Sequence, residues 1–548
     1  FAFIELCQKR FDCIVMNPPF GEGSEHTFKY LKNTYLFWCK NLVCAFFDRM
    51  QEMLTYNGLL GAIFDRTVLK KTSYEPFRRN NISGFIRYCA DTGWGVLDAN
   101  VETATLVVSK HSSDSFGYFV NVYDVEPCRK ENILIDTIAK HNSSLFSDRV
   151  YIKRSILFNH LANSVVGYNF SDDILNAFNN TSMESRGFSA RIGMHYMSNK
   201  YPRLYFEVVR TNDFDNYYNG GNFTMFYYTY REVVYNKTDI IFSDEENDIR
   251  NMQFQKMIGV GYGNRGDIID AHVLKANMMF SCEGIGIPLQ NKNNSYSVNS
   301  FVNSSYAQYM INLYCGQHKQ ATYVNLLPMP DYASQQTKIE SIDKNIIAIK
   351  RRYFSLDETN LEYHGLLAQI GVTSTVEIAI DDLQRSISSD YELYLDLVCQ
   401  NDDLWMDLAK IDHNSEFRKT LNDFKSHRPY EELLSIDGAS SQNIIDKKVM
   451  AQEIVQELVG MAFGRWDVVY AKGKKPVPKF GDVFDALPFM PVVSLEEVPA
   501  GYPISIPADG ILSNEKESNI NLTSRVRDVM HYLWGDRADD MEHELCQL

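Results

Sequence analysis

A strand-like run that ends in a rigid polar loop is the feature that most constrains this chain. Residues Phe11–Met16 are mostly apolar, Asn17-Pro18-Pro19-Phe20 follows at once, and a glycine-rich stretch then leads into a helical pattern. Each proline fixes φ at about −65° and biases the residue before it towards an extended conformation. Strand, stiff loop and helix in this order indicate an α/β fold, with the loop at the carboxyl end of a strand.

The following residues alternate between helical and strand-like patterns. Apolar residues at spacings of three and four predict one long helix from Phe28 to Met53. The further predicted elements are strands at Gly58–Phe64, Ile82–Tyr88 and Val101–Val108, and a short helix that begins at Tyr74–Arg79. Asp91–Leu97 has two interpretations, a loop that closes over a bound base and an ordinary turn with a packed tryptophan.

The residue types of the loop suit methyl transfer to an amine on a planar ring. The lone pair of adenine's exocyclic amine is delocalised, so a catalyst needs acceptors that localise it, and such preorganised dipoles act most strongly in the transition state. The side-chain oxygen of Asn17 and the carbonyl of Pro18 supply two acceptors. A base must leave the duplex to be reached, and an aromatic ring such as Phe20 stabilises it by stacking. We therefore predict Asn17, Pro18, Pro19 and Phe20 as catalytic residues; the alternative is a chance match, since Asn-Pro is a common turn dipeptide.

Composition places the chain among globular proteins. It has 548 residues, 45% hydrophobic and 23% charged, which predicts three or four domains. No apolar run is long enough for a membrane span and no signal-peptide pattern opens the chain, so we predict a cytoplasmic protein without a membrane partner. The cysteines are scattered and the histidines form no ligand cluster, which predicts reduced thiols and no metal site.

The distribution of charge matters more than its total. The net charge is −16, yet residues 1–180 contain 19 Lys+Arg and 19 Asp+Glu, and residues 181–330 contain 13 of each. The remaining residues hold 22 Lys+Arg and 38 Asp+Glu, so the acidic excess lies there. We expect double-stranded DNA to lie along the first 330 residues, because phosphates repel the acidic remainder.

A methyl donor needs its own site, which in class I methyltransferases is a glycine-rich strand-to-helix turn with an acidic residue downstream. Gly21–Gly23 continues the catalytic loop, and no other such turn follows an early strand here; Gly259–Gly263, far downstream among turn residues, is predicted as a loop. The chain opens at Phe1, only 16 residues before Asn17. We expect the donor-binding half to precede residue 1, and the chain to be the carboxyl-terminal portion of a longer protein.

Three segments together resemble a known family. The catalytic tetrapeptide, Gly61–Leu69 and Val96–Lys110 look like the later catalytic motifs of adenine-specific DNA methyltransferases in the TaqI-like group. That group includes type IIG restriction-modification enzymes and the PglX methyltransferases of BREX phage defence, with DISARM methyltransferases close by. The resemblance implies the later half of a Rossmann-like class I methyltransferase fold, S-adenosylmethionine as the cofactor, and a role in restriction-modification or phage defence beside other defence subunits.

The resemblance continues downstream and implies a domain order. Segments similar to the family's target-recognition region are Arg186–Ala190, Tyr201–Val208, Asn219–Gly221, Asp270–Pro288, Asn303–Tyr309 and Leu326–Pro330, and Val459–Asp467 is similar to a PglX carboxyl-terminal motif. We predict a catalytic domain at residues 1–155, a mixed α/β target-recognition domain at 156–330, a mainly helical domain at 331–470 and a small module at 471–548.

Residues 200–235 interleave aromatic rings with arginines, a mixture that serves bases and phosphates. The alternative is that most of these rings belong to a strand core. Our predicted DNA contacts are Lys200, Arg203, Lys275 and Asn277.

Two other functions remain open at this point. One is a DNA-sensing or scaffold subunit that keeps the loop but has lost catalysis. The other is methyl transfer to RNA or to a protein glutamine, which uses similar loops; the long segment after the catalytic region disfavours it, since those enzymes are compact.

Overall fold

The structure is a computed structural model. It describes residues 8–195, 202–208, 213–220, 224–235, 250–360, 362–363, 365–426, 446–477, 479, 481–484, 498, 500–507, 510–515, 518 and 521–548. The contacts between residues divide the chain into two compact units. Unit 1 comprises Phe1–Ser182, Met310–Gly316 and Leu326–Pro328, and unit 2 comprises Met183–Tyr309, Gln317–Asn325 and Met329–Leu548. The predicted boundary at residue 155 lies inside unit 1, and the four-domain division stays a prediction.

Unit 1 contains a six-stranded mixed sheet. Its strands are β1 (Phe11–Met16), β2 (Leu54–Asp65), β3 (Ile86–Gly93), β4 (Thr103–Ser109), β5 (Phe116–Asn121) and β6 (Val150–Arg154). The order across the sheet is β1-β2-β4-β3-β5-β6. The pairs β1–β2 and β3–β5 are parallel, and the other three are antiparallel. The carboxyl ends of β1, β2, β3 and β5 therefore lie at one edge of the sheet.

The helices of unit 1 correct one prediction. They are α1 (Glu25–Thr34), α2 (Leu42–Glu52), α3 (Glu75–Phe77), α4 (Lys130–Asn142) and α5 (Asp172–Ala177). The single helix predicted from Phe28 to Met53 is wrong, because the chain turns between α1 and α2. Cys39 and Lys40 have φ of 51° and 55°, a conformation that no right-handed helix contains, and the Asn41 side chain caps α2 by accepting from the Val43 N–H at 3.0 Å.

The predicted strands of unit 1 are confirmed with one shift. Gly58–Phe64 lies in β2, and most of Val101–Val108 lies in β4. The strand predicted at Ile82–Tyr88 begins only at Ile86, because Arg78–Ile82 forms a π-helical turn. Buried Arg78 holds that turn, donating to five backbone carbonyls, those of Val68, Lys70, Lys71, Asn163 and Ser164.

The two faces of the sheet differ in burial. On one face Leu60, Leu106 and Phe119 are fully buried, and α2 packs on this sheet at β2. On the other face strand register aligns Val15 with Gly61, and Tyr88 with Tyr118. Val15 is 82% exposed and Tyr88 is 55% exposed. The packed core of unit 1 thus lies on one side of the sheet.

Unit 2 contains two smaller sheets. Its strands are β7 (Pro202–Leu204), β8 (Phe214–Tyr218), β9 (Glu232–Tyr235), β10 (Gly259–Gly263), β11 (His272–Leu274), β12 (Met278–Phe280) and β13 (Gly284–Pro288). An antiparallel sheet has the order β11-β10-β13, and a mixed sheet has the order β12-β8-β9-β7. The loop predicted at Gly259–Gly263 is wrong, since this segment is the central strand β10. A Cβ atom at Gly259 would lie 2.1 Å from the Ile287 carbonyl oxygen, so the glycine is required by close packing.

The other elements of unit 2 are helical. They are α6 (Lys292–Val302), α7 (Ser305–Asn312), which begins in this unit, α8 (Ala321–Asn325), α9 (Gln336–Phe354), α10 (Leu366–Ile370), α11 (Val376–Leu408), α12 (Glu416–Ser426), α13 (Lys447–Ala462), α14 (Val468–Ala471), α15 (Leu522–Trp534) and α16 (Ala538–Gln547). The described residues of 331–470 are mainly helical, as predicted. The sequence pattern of Ser524–Leu545 predicts one terminal helix, but the structure divides it into α15 and α16 at Gly535, where φ is 62°.

The architecture is a mixed α/β fold. Among the described helices, none is long and apolar enough to cross a membrane. Within the same described residues, no group of three or more His, Cys, Asp or Glu side chains is placed to hold a metal ion.

Replacing Arg78 tests the packing of unit 1. We expect Arg78→Met to destabilise the protein by at least about 3 kcal/mol in urea unfolding, because five carbonyls lose their charged donor. Arg79→Met is the matched control. The Arg79 side chain is 48% exposed and pairs with Glu75, so its loss should cost less than about 1 kcal/mol. Equal effects of the two substitutions would contradict this account.

Glu457 of α13 gives a prediction for pH. Burial raises the pKa of Glu457 to about 7, although the Leu367 N–H donates to its carboxyl at 2.8 Å. A raised pKa stabilises the folded state fully below the unfolded pKa of about 4.5, and this contribution is lost as pH rises through about 7. Glu457→Gln should therefore gain about 3 kcal/mol relative to wild type between these pH values, measured by urea unfolding at each pH.

The control for this titration is Glu416→Gln, because the Glu416 side chain is 83% exposed. That variant should track wild type at every pH. A constant difference between Glu457→Gln and wild type across the range would show that folding does not raise the pKa of Glu457.

Candidate active site

The loop Asn17–Phe20 leaves the sheet at the carboxyl end of β1. Parallel pairing aligns Met16 with Ala62, so the loop begins while β2 continues beside it. Asn17 and Pro19 are exposed, Pro18 is buried and Phe20 is half-buried. The predicted catalytic residues are thus grouped on one exposed bend, with the Phe20 ring partly open to solvent.

The two predicted acceptors have no competing donors within the described residues. The Asn17 side chain makes no hydrogen bond there, and no backbone N–H donates to the Pro18 carbonyl. Because neither proline has an N–H of its own, the loop also lacks two backbone donors. As far as the described part of the chain goes, nothing competes with a ligand for either oxygen.

The downstream end of the loop is tied to the helices. Gly21 has φ of 98°, a conformation that favours glycine, and its carbonyl accepts from the Leu42 N–H at 2.8 Å. Asn41, the cap of α2, also donates to the Tyr74 hydroxyl at 2.7 Å in the interior. The bend is fixed by β1 on one side and by the start of α2 on the other.

A buried ion-pair network lies at the same edge of the sheet. Arg66, directly after β2, donates to both carboxylate oxygens of Asp91 in β3, at 2.6 and 3.0 Å. Its other terminal nitrogen donates to the Glu102 carboxylate, just before β4, at 3.3 Å. The backbone N–H of Arg66 also donates to the backbone carbonyl of Glu102. Arg66 thus joins the ends of three strands.

Two tyrosines complete this network. The Tyr168 hydroxyl donates to Asp91 at 2.8 Å, and the Tyr123 hydroxyl donates to Glu102 at 2.9 Å. The Tyr123 ring lies 4.1 Å from the Arg66 guanidinium carbon, a cation–π contact. Burial alone would lower the pKa of Arg66, but the hydrogen-bonded Asp91 carboxylate holds that pKa above its ordinary value. Arg66 is therefore charged, and both carboxyl groups of the network accept hydrogen bonds from it and from a tyrosine hydroxyl.

The network holds the segment between β3 and β4, residues 94–102. Arg66 binds Glu102 at its end, and the buried Lys130 of α4 donates to the Thr92 carbonyl and, at 2.8 Å, to the Trp94 carbonyl at its start. Trp94 and Val96 are 47% and 42% exposed. Neighbouring strands are about 4.8 Å apart. Arg66 follows β2, which is next to β1. Residues 94–102 begin after β3, three strands from β1, and end before β4, two strands from β1. The sequence signal for this network was the presence of acidic and basic residues at strand ends. Their spacing along the chain did not show that they pair with one another.

The described residues supply acceptors for an amine but no assigned site for a methyl donor. Within unit 1, no glycine-rich strand-to-helix turn lies beside β1 among the described residues, and β10, which is rich in glycine, is a buried strand of unit 2. We therefore assign no donor contact to a particular residue.

The predicted DNA contacts differ in placement. Arg203 and Asn277 are exposed in unit 2, and Asn277 occupies a left-handed turn with φ of 64° before β12. Lys200 lies outside the described residues. Lys275 is a correction, because it is 1% exposed and its ammonium pairs with buried Glu362. A phosphate cannot reach that ammonium without exposing the pair.

Most aromatic rings of residues 200–235 that the structure describes belong to the core. The fully or nearly buried ones are Tyr205, Tyr217, Tyr218, Phe226, Tyr227 and Tyr230. These six rings are buried in the core, as the alternative expected, although only Tyr217 and Tyr218 lie in a strand.

Comparison with protein families gives one match, which covers the amino-terminal segment. Residues 1–85 match the family model described as Eco57I restriction-modification methylase. The match includes the strand, the Asn17–Phe20 loop and the residues through Phe85. No curated protein matches the chain.

Solved structures show weak similarity. A type IIL restriction-modification enzyme, MmeI, determined in complex with DNA, has a TM-score of 0.44 at 11% identity, covering 76% of this chain and 57% of that one. An ATP-dependent type ISP restriction-modification enzyme, LlaBIII, bound to DNA, has 0.41 at 8% identity, covering 64% and 30%. The type IIG restriction endonuclease BpuSI has 0.28 at 12% identity, covering 61% and 49%. The chain spans just over half of the first of these. All three scores are below 0.5. The loop geometry and the match of residues 1–85 carry the functional proposal instead.

Weakening the Arg66 network should loosen residues 94–102. In Arg66→Lys the bidentate hydrogen bonds to Asp91 are lost. Loss of a hydrogen bond to a charged group lowers the stability of the folded state by about 1.5 to 3 kcal/mol. We expect backbone amides of residues 94–102 to exchange with deuterium roughly 10 to 100 times faster, as measured by mass spectrometry.

The matched control is Arg149→Lys at the same edge of the sheet. Arg149 pairs with Asp124, whose side chain is 68% exposed, so exchange of residues 94–102 should not change in that variant. Unchanged exchange in Arg66→Lys would show that the segment is held by other contacts.

Proposed function

We propose that this protein is a site-specific DNA adenine methyltransferase that acts in restriction-modification or phage defence. The observation that carries the proposal is the exposed Asn17 amide, without a hydrogen-bond partner among the described residues, on the same bend as the Pro18 carbonyl and the half-exposed Phe20 ring. The match of residues 1–85 to a restriction-modification methylase family supports the same class of enzyme.

The two oxygens act on the amine of an extruded adenine. Asn17 Oδ1 and the Pro18 carbonyl accept one amine hydrogen each, which localises the nitrogen lone pair and favours tetrahedral geometry. Pro18 is buried, and among the described residues no donor competes for its carbonyl. This acceptor is therefore in place before the base binds, so little reorganisation is needed. No strong base is required, because the proton leaves only after the nitrogen has been methylated and carries a positive charge.

The Phe20 ring stabilises the extruded base. Unpairing a base costs a few kcal/mol, and stacking on an aromatic ring returns about 1 to 3 kcal/mol. The ring is partly open to solvent, so a base has access to one of its faces without rearrangement of the core.

S-adenosylmethionine supplies the methyl group when bound. The role of the described residues is to hold and orient the acceptor, and the Arg66 network keeps residues 94–102 in place at the same edge of the sheet. Arg203 and Asn277 of unit 2 remain our proposed DNA contacts, since both are exposed, together with Lys200 from the sequence. Lys275 is not included, because its charge is buried.

The main rival is a DNA-sensing or scaffold subunit without catalysis. It would keep an intact loop for a structural reason, such as packing against another protein. The placement of the Asn17 amide favours catalysis, because it shares one exposed bend with the Pro18 carbonyl and neither oxygen accepts from a donor among the described residues. Methyl transfer to RNA or to a protein glutamine predicts the same loop. The identity of the methylated substrate distinguishes these activities from DNA methylation.

The test is modified-base sequencing of DNA from cells that carry the natural full-length protein. We expect N6-methyladenine at one recognition sequence in wild type and its loss by at least about 100-fold in Asn17→Ala, because removing one preorganised donor or acceptor typically costs this factor. Asn57→Ala is the matched control, an exposed asparagine in β2 outside the loop, and should leave the mark unchanged.

The rivals predict different results for the same cells. Absence of any methylated base in wild type would favour the scaffold, and transfer of labelled methyl groups to RNA or protein by the purified protein would favour the other enzymes. Loss of the mark in Asn57→Ala as well would show that the effect is not specific to the loop.

A further inference from the structure

A cleft of about 570 Å³ opens in unit 1 where β5 begins and β6 ends. These strand ends lie at the opposite edge of the sheet from the Asn17 loop, because β5 runs parallel to β3 and β6 runs against it. The order β1-β2-β4-β3-β5 places four strand spacings, roughly 20 Å, between β1 and β5. The cleft is therefore separate from the candidate active site.

The inner wall of the cleft is apolar. Phe116 and Ile152 are 57% and 47% exposed, although they belong to paired strands. Leu157, Leu161 and Leu175 also line the cleft. An aromatic ring with an open face beside aliphatic side chains provides a surface on which a flat ring can stack.

The rim carries hydrogen-bonding groups without a partner among the described residues. His160, Asn176 and Asn179 line the cleft, are exposed, and make no side-chain hydrogen bond there. In contrast, Asn41 and Asn163 in the same unit each donate to another side chain. The rim thus offers two carboxamides and an imidazole to a ligand.

Both cations that line the cleft are already in ion pairs, one with the lining Asp172 and one with Asp114, which lies outside the lining. Lys153 pairs with Asp172 at 2.9 Å, and Arg154 pairs with Asp114 at 3.0 Å. A phosphate would have to compete with these carboxylates for both cations. The cleft therefore favours an uncharged ligand over an anion.

We propose that this cleft binds an uncharged planar heterocycle of the purine-nucleoside class. The volume lies in the range of small-molecule pockets, which combine apolar walls with a few polar groups. The Phe116 ring stacks on the heterocycle, and the carboxamides of Asn176 and Asn179 bind its donor and acceptor edge, as asparagine does with adenine. The site goes beyond the proposed function, since no residue of the Asn17 loop takes part.

The test is calorimetric titration of the Asn17→Ala protein with adenosine. That substitution removes an acceptor at the candidate active site, so adenosine bound there is weakened while the cleft is unchanged. We expect a dissociation constant below about 1 mM. Phe116→Ala in this background should weaken binding at least tenfold because stacking is lost. Asn176→Ala combined with Asn179→Ala should also weaken it at least tenfold, because the hydrogen bonds to the edge of the heterocycle are lost.

Matched controls are Phe146→Ala, which removes a ring that is 90% exposed elsewhere in unit 1, and Asn169→Ala, an exposed asparagine outside the cleft. Both should bind adenosine like the parent. Phe116→Leu keeps an apolar side chain for folding but removes the ring, and should also weaken binding. No heat with adenosine, equal losses in the controls, or adenosine monophosphate binding more tightly through Arg154 would overturn the proposal.

Discussion

The parallel pairing of β1 with β2 determines the rest of the candidate site. Its register ends with Met16 beside Ala62, so β2 continues beyond the point where the Asn17 loop leaves the sheet. The loop is therefore supported along one side while Asn17 itself stays exposed. Two prolines remove the local flexibility that would otherwise cost entropy when a base is bound.

The same edge of the sheet contains a charged side chain, Arg66, that needs hydrogen-bond partners within the protein. Arg66 is largely removed from water, yet Asp91 and Glu102 surround it with acceptors, and Tyr168 donates to Asp91. A buried charge without partners would be costly, whereas a complete network specifies one arrangement of the strand ends. The segment that follows β3 is in this way held by side chains, although it has no helix or strand of its own.

The sequence predicted what depends on local pattern. Strands β2 and β4 and the strand–loop–helix context of Asn17 follow from period and proline chemistry. The break between α1 and α2 did not, because the apolar spacing continues through Cys39 and only tertiary contacts impose its left-handed φ. For the same reason β10 was predicted as a loop, since Gly259 is needed for close packing that no local signal reveals. Lys275 looked like a DNA contact because its buried partner Glu362 lies far away in sequence.

A crystal structure of the natural full-length protein with DNA that contains its recognition site tests the central claim most directly. Our account predicts an adenine rotated out of the duplex, with its ring on Phe20 and its amine within about 3.2 Å of both Asn17 Oδ1 and the Pro18 carbonyl. A target base that stays stacked in the duplex, or an extruded base held away from this bend, would contradict it.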